Sequence, residues 1–339
     1  MKTIKKKPIE SSLAEPTSPP SGQNREDARK PRVKCGRLRE LKVLLESKGL
    51  LLPELSLSDL KNLFKDSESF IAIFGEDNRK ELYELSSSKI INAKKAAAII
   101  HKSLLKDNGT SYTIIPSGKM IYSRRGRKLC SWESFYGQPE AAYCTSCALH
   151  ERIAIMPKHS NRHFYPEQMR LVYGFWNDAV SDPLQIPKEN VIEITKVIND
   201  PSEDLSFLIL NDPVSKDRLV SKYAEPKQGQ QIYVSGYPGT SRDFNRIPLK
   251  VADNAKVRKV YSTKFESDLD VFRGNSGSPV FNNDNFIGMF ISVPSDHFTP
   301  FSNNCDLSCY CDEKDFCDHA VCISSDYIMS KLPLIISNL

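Results

Sequence analysis

Hydrophobic and polar positions follow two different patterns along the chain. Between residues 36 and 108, apolar residues recur at helical spacing, first at Leu38, Leu41, Leu44 and Leu45. A second candidate helix follows Ser58, and a third begins at Ser88 and ends before Gly109. The apolar side of the third consists of Ile90, Ile91, Ala97, Ile100 and Leu104. We therefore predict a small α-helical region over residues 36–110.

From residue 111 onward, short segments rich in β-branched and aromatic residues alternate with Gly, Pro, Asn and Asp. These segments are residues 111–115, 152–156, 191–197, 205–210, 231–235, 256–263, 278–281 and 286–293. Many short strands separated by turn residues indicate an all-β sandwich or barrel. A closing helix over residues 325–332, capped by Ser325, is predicted after them.

Charge distinguishes the first residues from the rest of the chain. Residues 1–50 carry 13 Lys and Arg against 6 Asp and Glu, although the whole chain has a net charge of only +5. Residues 1–35 are also poor in aromatic residues, so we predict a disordered basic tail. A solvated extension is the simpler interpretation, and a nucleic-acid, membrane-surface or targeting patch is the alternative.

Targeting signals are not visible in the sequence. No apolar run approaches the ~20 residues that span a bilayer, and the basic N-terminus has no apolar stretch behind it. We expect a protein without a transmembrane segment that is cytoplasmic, or exported without a classical signal peptide.

The string GNSGSPV at residues 274–280 is the strongest chemical motif. Its small residues permit a sharp turn and a close approach of substrate to the Ser276 hydroxyl. Such a turn can direct the amides of Gly274 and Ser276 at one point, which would form an oxyanion hole. The alternative is an ordinary Gly/Ser/Asn turn between strands.

A serine nucleophile needs a base within hydrogen-bonding reach. His159 follows directly on the apolar segment over residues 152–157, and His163 and His150 are the alternatives among the six histidines. Without a serine partner, His159 would be read as a surface residue at the end of a strand.

The third group should be a carboxylate that orients the imidazole. Asp204 directly precedes the apolar segment 205–210, and Glu203, Asp200 and Asp212 are the alternatives. An Asp that merely begins a strand is the structural interpretation of the same position.

These motifs resemble those of one enzyme superfamily. Residues 274–280 are similar to the active-serine motif of trypsin-like peptidases, especially the V8-like glutamyl-endopeptidase branch, as are residues 233–239, 267–273 and 285–290. The segment that ends at His159 resembles viral 3C-type proteases, which use cysteine where this chain has serine. The order His159, Asp204, Ser276 is that of chymotrypsin.

The resemblance covers residues 140–335 and implies a fold and an activity. The implied fold is an all-β chymotrypsin-like double β-barrel over residues 111–339, preceded by the α-helical region. The implied activity is that of a serine endopeptidase acting on protein or peptide substrates through an acyl-enzyme, with no cofactor required for catalysis. Nucleic acid is not expected as a partner, and the oligomeric state is left open. The alternative function is a catalytically inactive module on the same scaffold that binds a protein or nucleic acid.

Residues near Ser276 suggest the substrate pocket. Asp270 lies six positions before Ser276, where an Asp in trypsin selects Lys or Arg, although V8-like relatives use a nearby Asp differently. Phe290, Ile291 and Ser292 are predicted to line one side of the pocket. The segment has no His of the kind that reads Gln or Glu in 3C-like and V8-like enzymes, which argues against that specificity.

Cysteines cluster near the C-terminus, within an insertion predicted over residues 294–320. The candidate ligands of a structural zinc are Cys305, Cys309, Cys311, Cys317, His319 and Cys322. Local disulfides and unliganded thiols are the alternatives. The total of nine cysteines is odd and no signal peptide is visible, so a reducing compartment is expected.

Overall fold

The computed structural model describes residues 33–34, 73–74, 76–123, 126–161, 164–178, 184–239, 245–272, 274–292, 298–300, 305–311 and 319–337. All of them lie in one compact unit, residues 32–339. The first two predicted helices and the predicted tail lie outside the described residues, apart from the strand Val33–Lys34.

Six antiparallel strands close the first barrel. They are β1 (Ala96–His101), β2 (Ala142–His150), β3 (Ile153–Met156), β4 (Met169–Val172), β5 (Val191–Asn199) and β6 (Ser206–Leu210). Their order around the barrel is β3-β6-β5-β4-β1-β2, and β2 pairs again with β3. Closure leaves no free strand edge among the six.

Six more strands close the second barrel. They are β7 (Gln231–Gly236), β8 (Lys250–Val260), β9 (Lys264–Ser267), β10 (Pro279–Asn282), β11 (Asn285–Ser292) and β12 (Ala320–Ser324). Their order is β7-β10-β11-β12-β9-β8, and the pairing of β7 with β8 completes the ring. The molecule is therefore a chymotrypsin-like double barrel, as the sequence predicts.

The predicted third helix is wrong in its second half. Residues Ser87–Ala93 are helical (α1), but Ala96–His101 form strand β1 of the first barrel. The run from Ala96 to Ile100 is fully buried, and a short, continuous apolar run fits a buried strand as well as a helix. The first barrel consequently begins at Ala96, before the predicted domain boundary at residue 110.

The closing helix is present as α2 (Ser325–Ile336), and it is longer than predicted. Its N-cap residue is Ser324, whereas the Ser325 hydroxyl donates a hydrogen bond to the carbonyl of Ala224. None of the helices in the described part of the chain is both long and apolar enough to cross a membrane.

Further short strands lie outside the two barrels. They are Val33–Lys34, Ile73–Phe74, Arg79–Lys80, Leu105–Asp107, Ser111–Ile114, Gly118–Lys119, Pro139–Glu140, Gln185–Pro187, Phe298–Pro300 and Asp306–Cys311. The last of these belongs to the connection between β11 and β12. It pairs in parallel with both Val33–Lys34 and Ile73–Phe74.

Candidate active site

His159 and Asp204 form a hydrogen-bonded pair at one end of the first barrel. Strands β3 and β6 are antiparallel neighbours, and Met156 lies opposite Ser206, so the residues just beyond these two positions meet. His159 lies in a short 3₁₀ turn after β3, and Asp204 lies just before β6. The imidazole Nδ1 is 2.6 Å from one carboxylate oxygen, and the His159 main-chain amide donates to the other at 2.8 Å.

This pairing fixes the chemistry of the imidazole. Burial acts to raise the pKa of Asp204, but the hydrogen bonds and charge of His159 outweigh it, and the pKa lies below its ordinary value. An ionised carboxylate accepts the proton on Nδ1, which leaves Nε2 as the basic nitrogen. The His159 side chain is 46% exposed, so a substrate can reach that nitrogen.

Asp200 holds the loop that carries Asp204. Its Oδ1 accepts the amides of Ser202 and Glu203 at 2.9 and 2.8 Å. The Tyr327 hydroxyl of helix α2 donates to the same oxygen at 2.8 Å. Burial acts to raise the pKa of Asp200, but these donors outweigh it and lower that pKa.

The same loop contacts the second barrel and the His159 turn. Glu203 accepts a hydrogen bond from the Thr263 hydroxyl at 2.6 Å and pairs with the ammonium group of Lys264 at 2.6 Å. The ammonium group of Lys158 donates to the carbonyl of Asp200 at 2.9 Å. Hydrogen bonds and an ion pair therefore connect the loop to helix α2, to the second barrel and to the turn that carries His159.

The turn that carries Ser276 depends on two glycines. Gly274 and Gly277 have φ angles of +94° and +96°, which side chains rarely adopt. A Cβ at Gly277 would also collide with the carbonyl of Thr145 and would lie 3.2 Å from Pro157 Cδ. The turn thus packs tightly against the segment that leads into His159.

Thr145, in strand β2, anchors this turn to the first barrel. Its amide donates to the carbonyl of Ser276 at 3.1 Å, and its hydroxyl donates to the carbonyl of Gly274 at 3.1 Å. The same hydroxyl accepts the amide of Tyr237 at 3.0 Å. Because Thr145 is buried, these bonds are shielded from water.

The Ser276 hydroxyl donates to the carbonyl of Ile291, at 3.1 Å. Within the described residues, no hydrogen bond joins it to His159. Among the described residues, neither the amide of Gly274 nor that of Ser276, the predicted oxyanion donors, donates a main-chain hydrogen bond.

The predicted specificity role of Asp270 is wrong. Its carboxylate is buried and accepts the amides of Phe74 and Asn78 at 2.7 and 3.0 Å. Burial raises the pKa of Asp270 to about 7, against the two amides and Arg79, which lower it. A carboxyl group occupied in this way holds Phe74 and Asn78 and does not face a substrate cation.

The predicted pocket residues differ in position. The Phe290 side chain is buried in the core of the second barrel, and Ile291 is buried in the larger core. Ser292 is exposed at the end of β11. The Phe290 side chain thus packs into the barrel core, whereas the Ile291 carbonyl lies beside the Ser276 hydroxyl.

Among the alternative catalytic residues, His150 and Asp212 make other contacts. The His150 ring accepts the amide of Arg152 at 3.3 Å, and the exposed Asp212 carboxylate contacts Asn211. His163 lies outside the described residues. Glu203 and Asp200 have the structural contacts given above, so Asp204 is the one carboxylate among the candidates that contacts His159.

Three members of the predicted zinc set have other contacts in the structure. Cys305 forms a disulfide with Cys130, and Cys322 is buried as a free thiol in the core of the second barrel. His319 stacks on Phe74. Cys317 and the side chains of Cys309 and Cys311 lie outside the described part of the structure. The described residues contain no cluster of His, Cys, Asp and Glu that could hold a metal ion.

No sequence pattern pointed to two residues that contact the Ser276 turn. Thr145 lies within a strand that reads as a plain core segment, and Arg246 belongs to no sequence motif. Burial of an arginine beside a glycine-rich turn is visible only in three dimensions.

Comparison with known proteins supports the superfamily. Residues 136–298 match the family model described as Trypsin. No curated protein matches the chain. Among solved structures, the chain is similar to the scabies mite inactivated protease paralogue S-I1, with 15% identity and a TM-score of 0.44, over 78% of this chain and 99% of that one. A likeness at that TM-score carries no argument about activity.

The family match over residues 136–298 and the two six-stranded barrels together support the trypsin/chymotrypsin-like superfamily for this chain.

Proposed function

We propose that this protein is a serine endopeptidase with Ser276 as nucleophile, His159 as general base and Asp204 as the orienting carboxylate. The observation that carries the proposal is the His159–Asp204 pair, with a 2.6 Å hydrogen bond at Nδ1. An imidazole held in this tautomer beside a glycine-rich serine turn is suited to acyl transfer.

The first step begins with rotation of the Ser276 side chain from the Ile291 carbonyl toward Nε2 of His159. The hydroxyl oxygen then bonds to the scissile carbonyl carbon while its proton passes to Nε2. The amides of Gly274 and Ser276 donate to the oxyanion that forms.

Collapse of the tetrahedral intermediate breaks the C–N bond, and His159 gives its proton to the leaving amine. Water then attacks the acyl ester with His159 again as base, which releases the acid and restores the Ser276 hydroxyl. Throughout, the Asp204 carboxylate stabilises the imidazolium.

The proposed substrates are proteins and peptides bound in an extended conformation. Ser292 is exposed at the end of β11, directly after the residue whose carbonyl contacts Ser276. A strand end in this position can pair with the main chain of a peptide. A preference for a basic side chain is not proposed, because Asp270 is occupied by main-chain amides.

The second candidate function is an inactive interaction module on the same scaffold. It is favoured by one observation, the hydrogen bond from the Ser276 hydroxyl to Ile291. If that rotamer persisted with substrate bound, the hydroxyl would not transfer its proton to His159.

A fluorophosphonate probe separates the two functions. The proposed enzyme should be labelled on Ser276, with labelling lost in Ser276→Ala and retained in Ser330→Ala, which changes an exposed serine of α2. Folded wild-type protein that resists labelling and hydrolyses no member of a peptide library would favour the inactive module.

A further inference from the structure

The Arg246 side chain lies between two glycines next to the nucleophile turn. A Cβ added at Gly274 would collide with its Cδ and Nε, and one added at Gly239 would lie 2.6 Å from Cδ and 2.8 Å from Nη1. Arg246 is only 7% exposed, so the long side chain is enclosed by main chain. Either glycine changed to a larger residue would displace it.

The main chain around Arg246 is fixed as well. Its carbonyl accepts the amides of Ala141 and Ala142 at 2.9 and 3.2 Å, and Nη1 donates to the carbonyl of Asn245 at 3.1 Å. An arginine whose main chain and guanidinium group are both hydrogen-bonded loses little further conformational entropy when a substrate binds. Its charge is therefore preorganised.

Two neighbouring side chains therefore restrain Gly274. The Thr145 hydroxyl holds its carbonyl, and the Arg246 side chain packs on its Cα. The amide of Gly274 is one of the two proposed oxyanion donors, and its left-handed φ of +94° sets where that amide points. Both neighbours thus act on the donor itself.

The positive charge of Arg246 also affects the pKa of neighbouring groups. Burial raises the pKa of the Cys144 thiol to about 12, and Arg246 opposes this rise. Burial likewise raises the pKa of Tyr143 to about 12, again against Arg246. A buried cation that stabilises nearby anions would also stabilise an oxyanion at Gly274, since charges interact strongly where water is excluded.

We propose that Arg246 is a positioning residue of the oxyanion hole, which holds Gly274 in its donor conformation and adds a fixed positive charge behind it. This inference rests on the proposed function. It assigns Arg246 a contribution to the transition state, separate from the binding of the peptide, because the charge acts on an anion that forms only during the reaction.

The test compares a neutral and a charged replacement. Arg246→Met keeps most of the volume without the charge, and Arg246→Lys keeps the charge. In the Met variant, two quantities should fall about 10-fold or more: the rate constant for fluorophosphonate labelling, and kcat on a peptide chosen from a library. This loss should be smaller than the ~10²- to 10³-fold loss expected on removal of a direct oxyanion donor. The Lys variant should stay within about threefold of the wild type, and KM should change little in either.

Control measurements separate charge from packing. Arg218→Met removes an arginine that packs on Trp176 and Tyr173 in the first barrel, and it should leave kcat unchanged. Thermal unfolding and active-site titration restrict the comparison to folded enzyme. If Arg246→Met does not fold, Arg246→Gln takes its place with the same expectation.

Two results would overturn the inference while leaving the proposed function intact. One is a neutral variant that keeps the wild-type labelling rate, and the other is an equal loss in the Met and Lys variants. A wild-type protein that the probe does not label would overturn the proposed function, and this inference with it.

Discussion

His159 donates to both oxygens of Asp204, with its main-chain amide at 2.8 Å and its ring Nδ1 at 2.6 Å. The two bonds set the position of the residue and the tautomer of its ring together. A change at Asp204 should therefore affect catalysis more than a change at any other carboxylate of the loop.

We expect Asp204→Asn to lower kcat by about 10³- to 10⁴-fold, because an amide can favour the wrong imidazole tautomer. The measurement is steady-state hydrolysis with active-site titration. Asp212→Asn, at an exposed carboxylate after β6, is the control and should behave as wild type. Near-normal kcat in folded Asp204→Asn would remove Asp204 from the triad.

We expect Tyr327→Phe to lower the free energy of unfolding by about 1 kcal/mol, because it removes one hydrogen bond to a buried carboxylate. The loop at Asp200 should loosen, and kcat should fall by a small factor while KM stays the same. Ser337→Ala, at the exposed C-cap of α2, is the control for stability and activity. Unchanged stability and kcat would show that helix α2 does not support this loop.

Asp270 should make stability depend on pH. Its carboxyl group keeps a proton up to about pH 7 when folded, but only up to its ordinary pKa of 3.8 when unfolded. The folded state therefore binds more protons between these values, and the free energy of unfolding should fall as pH rises through that window.

Denaturant titrations across pH 4–8 test this dependence. Asp270→Asn should flatten the decline, whereas Asp217→Asn, at a carboxylate that is 70% exposed, should not. An equal slope in wild type and Asp270→Asn would assign the titration to another group.

The disulfide between Cys130 and Cys305 joins segments that are 175 residues apart in sequence. Cross-links that close long loops stabilise folded proteins by about 2–5 kcal/mol. Reductant should therefore lower the unfolding temperature of the wild type, and Cys130→Ser should match the reduced protein and be insensitive to reductant. Mass spectrometry that finds both thiols free under oxidising conditions would contradict the pairing.

The local chemistry of this protein can be read from its sequence. The glycines around Ser276 identify a turn that only small residues can form, and the apolar segments that lead to His159 and from Asp204 identify two neighbouring strands. Each of these patterns spans only a few consecutive residues, so it can be recognised before the fold is known.

Features that depend on distant partners became visible only in the fold. Ala96–His101 is a strand because a barrel buries it on all sides, and Asp270 is a structural residue because the amides of Phe74 and Asn78 bind its carboxylate. The contact of Arg246 with Gly274 joins two loops that no local pattern connects. Such contacts arise when the barrels close and bring together residues that are far apart in sequence. No periodic pattern in the sequence predicts these pairs.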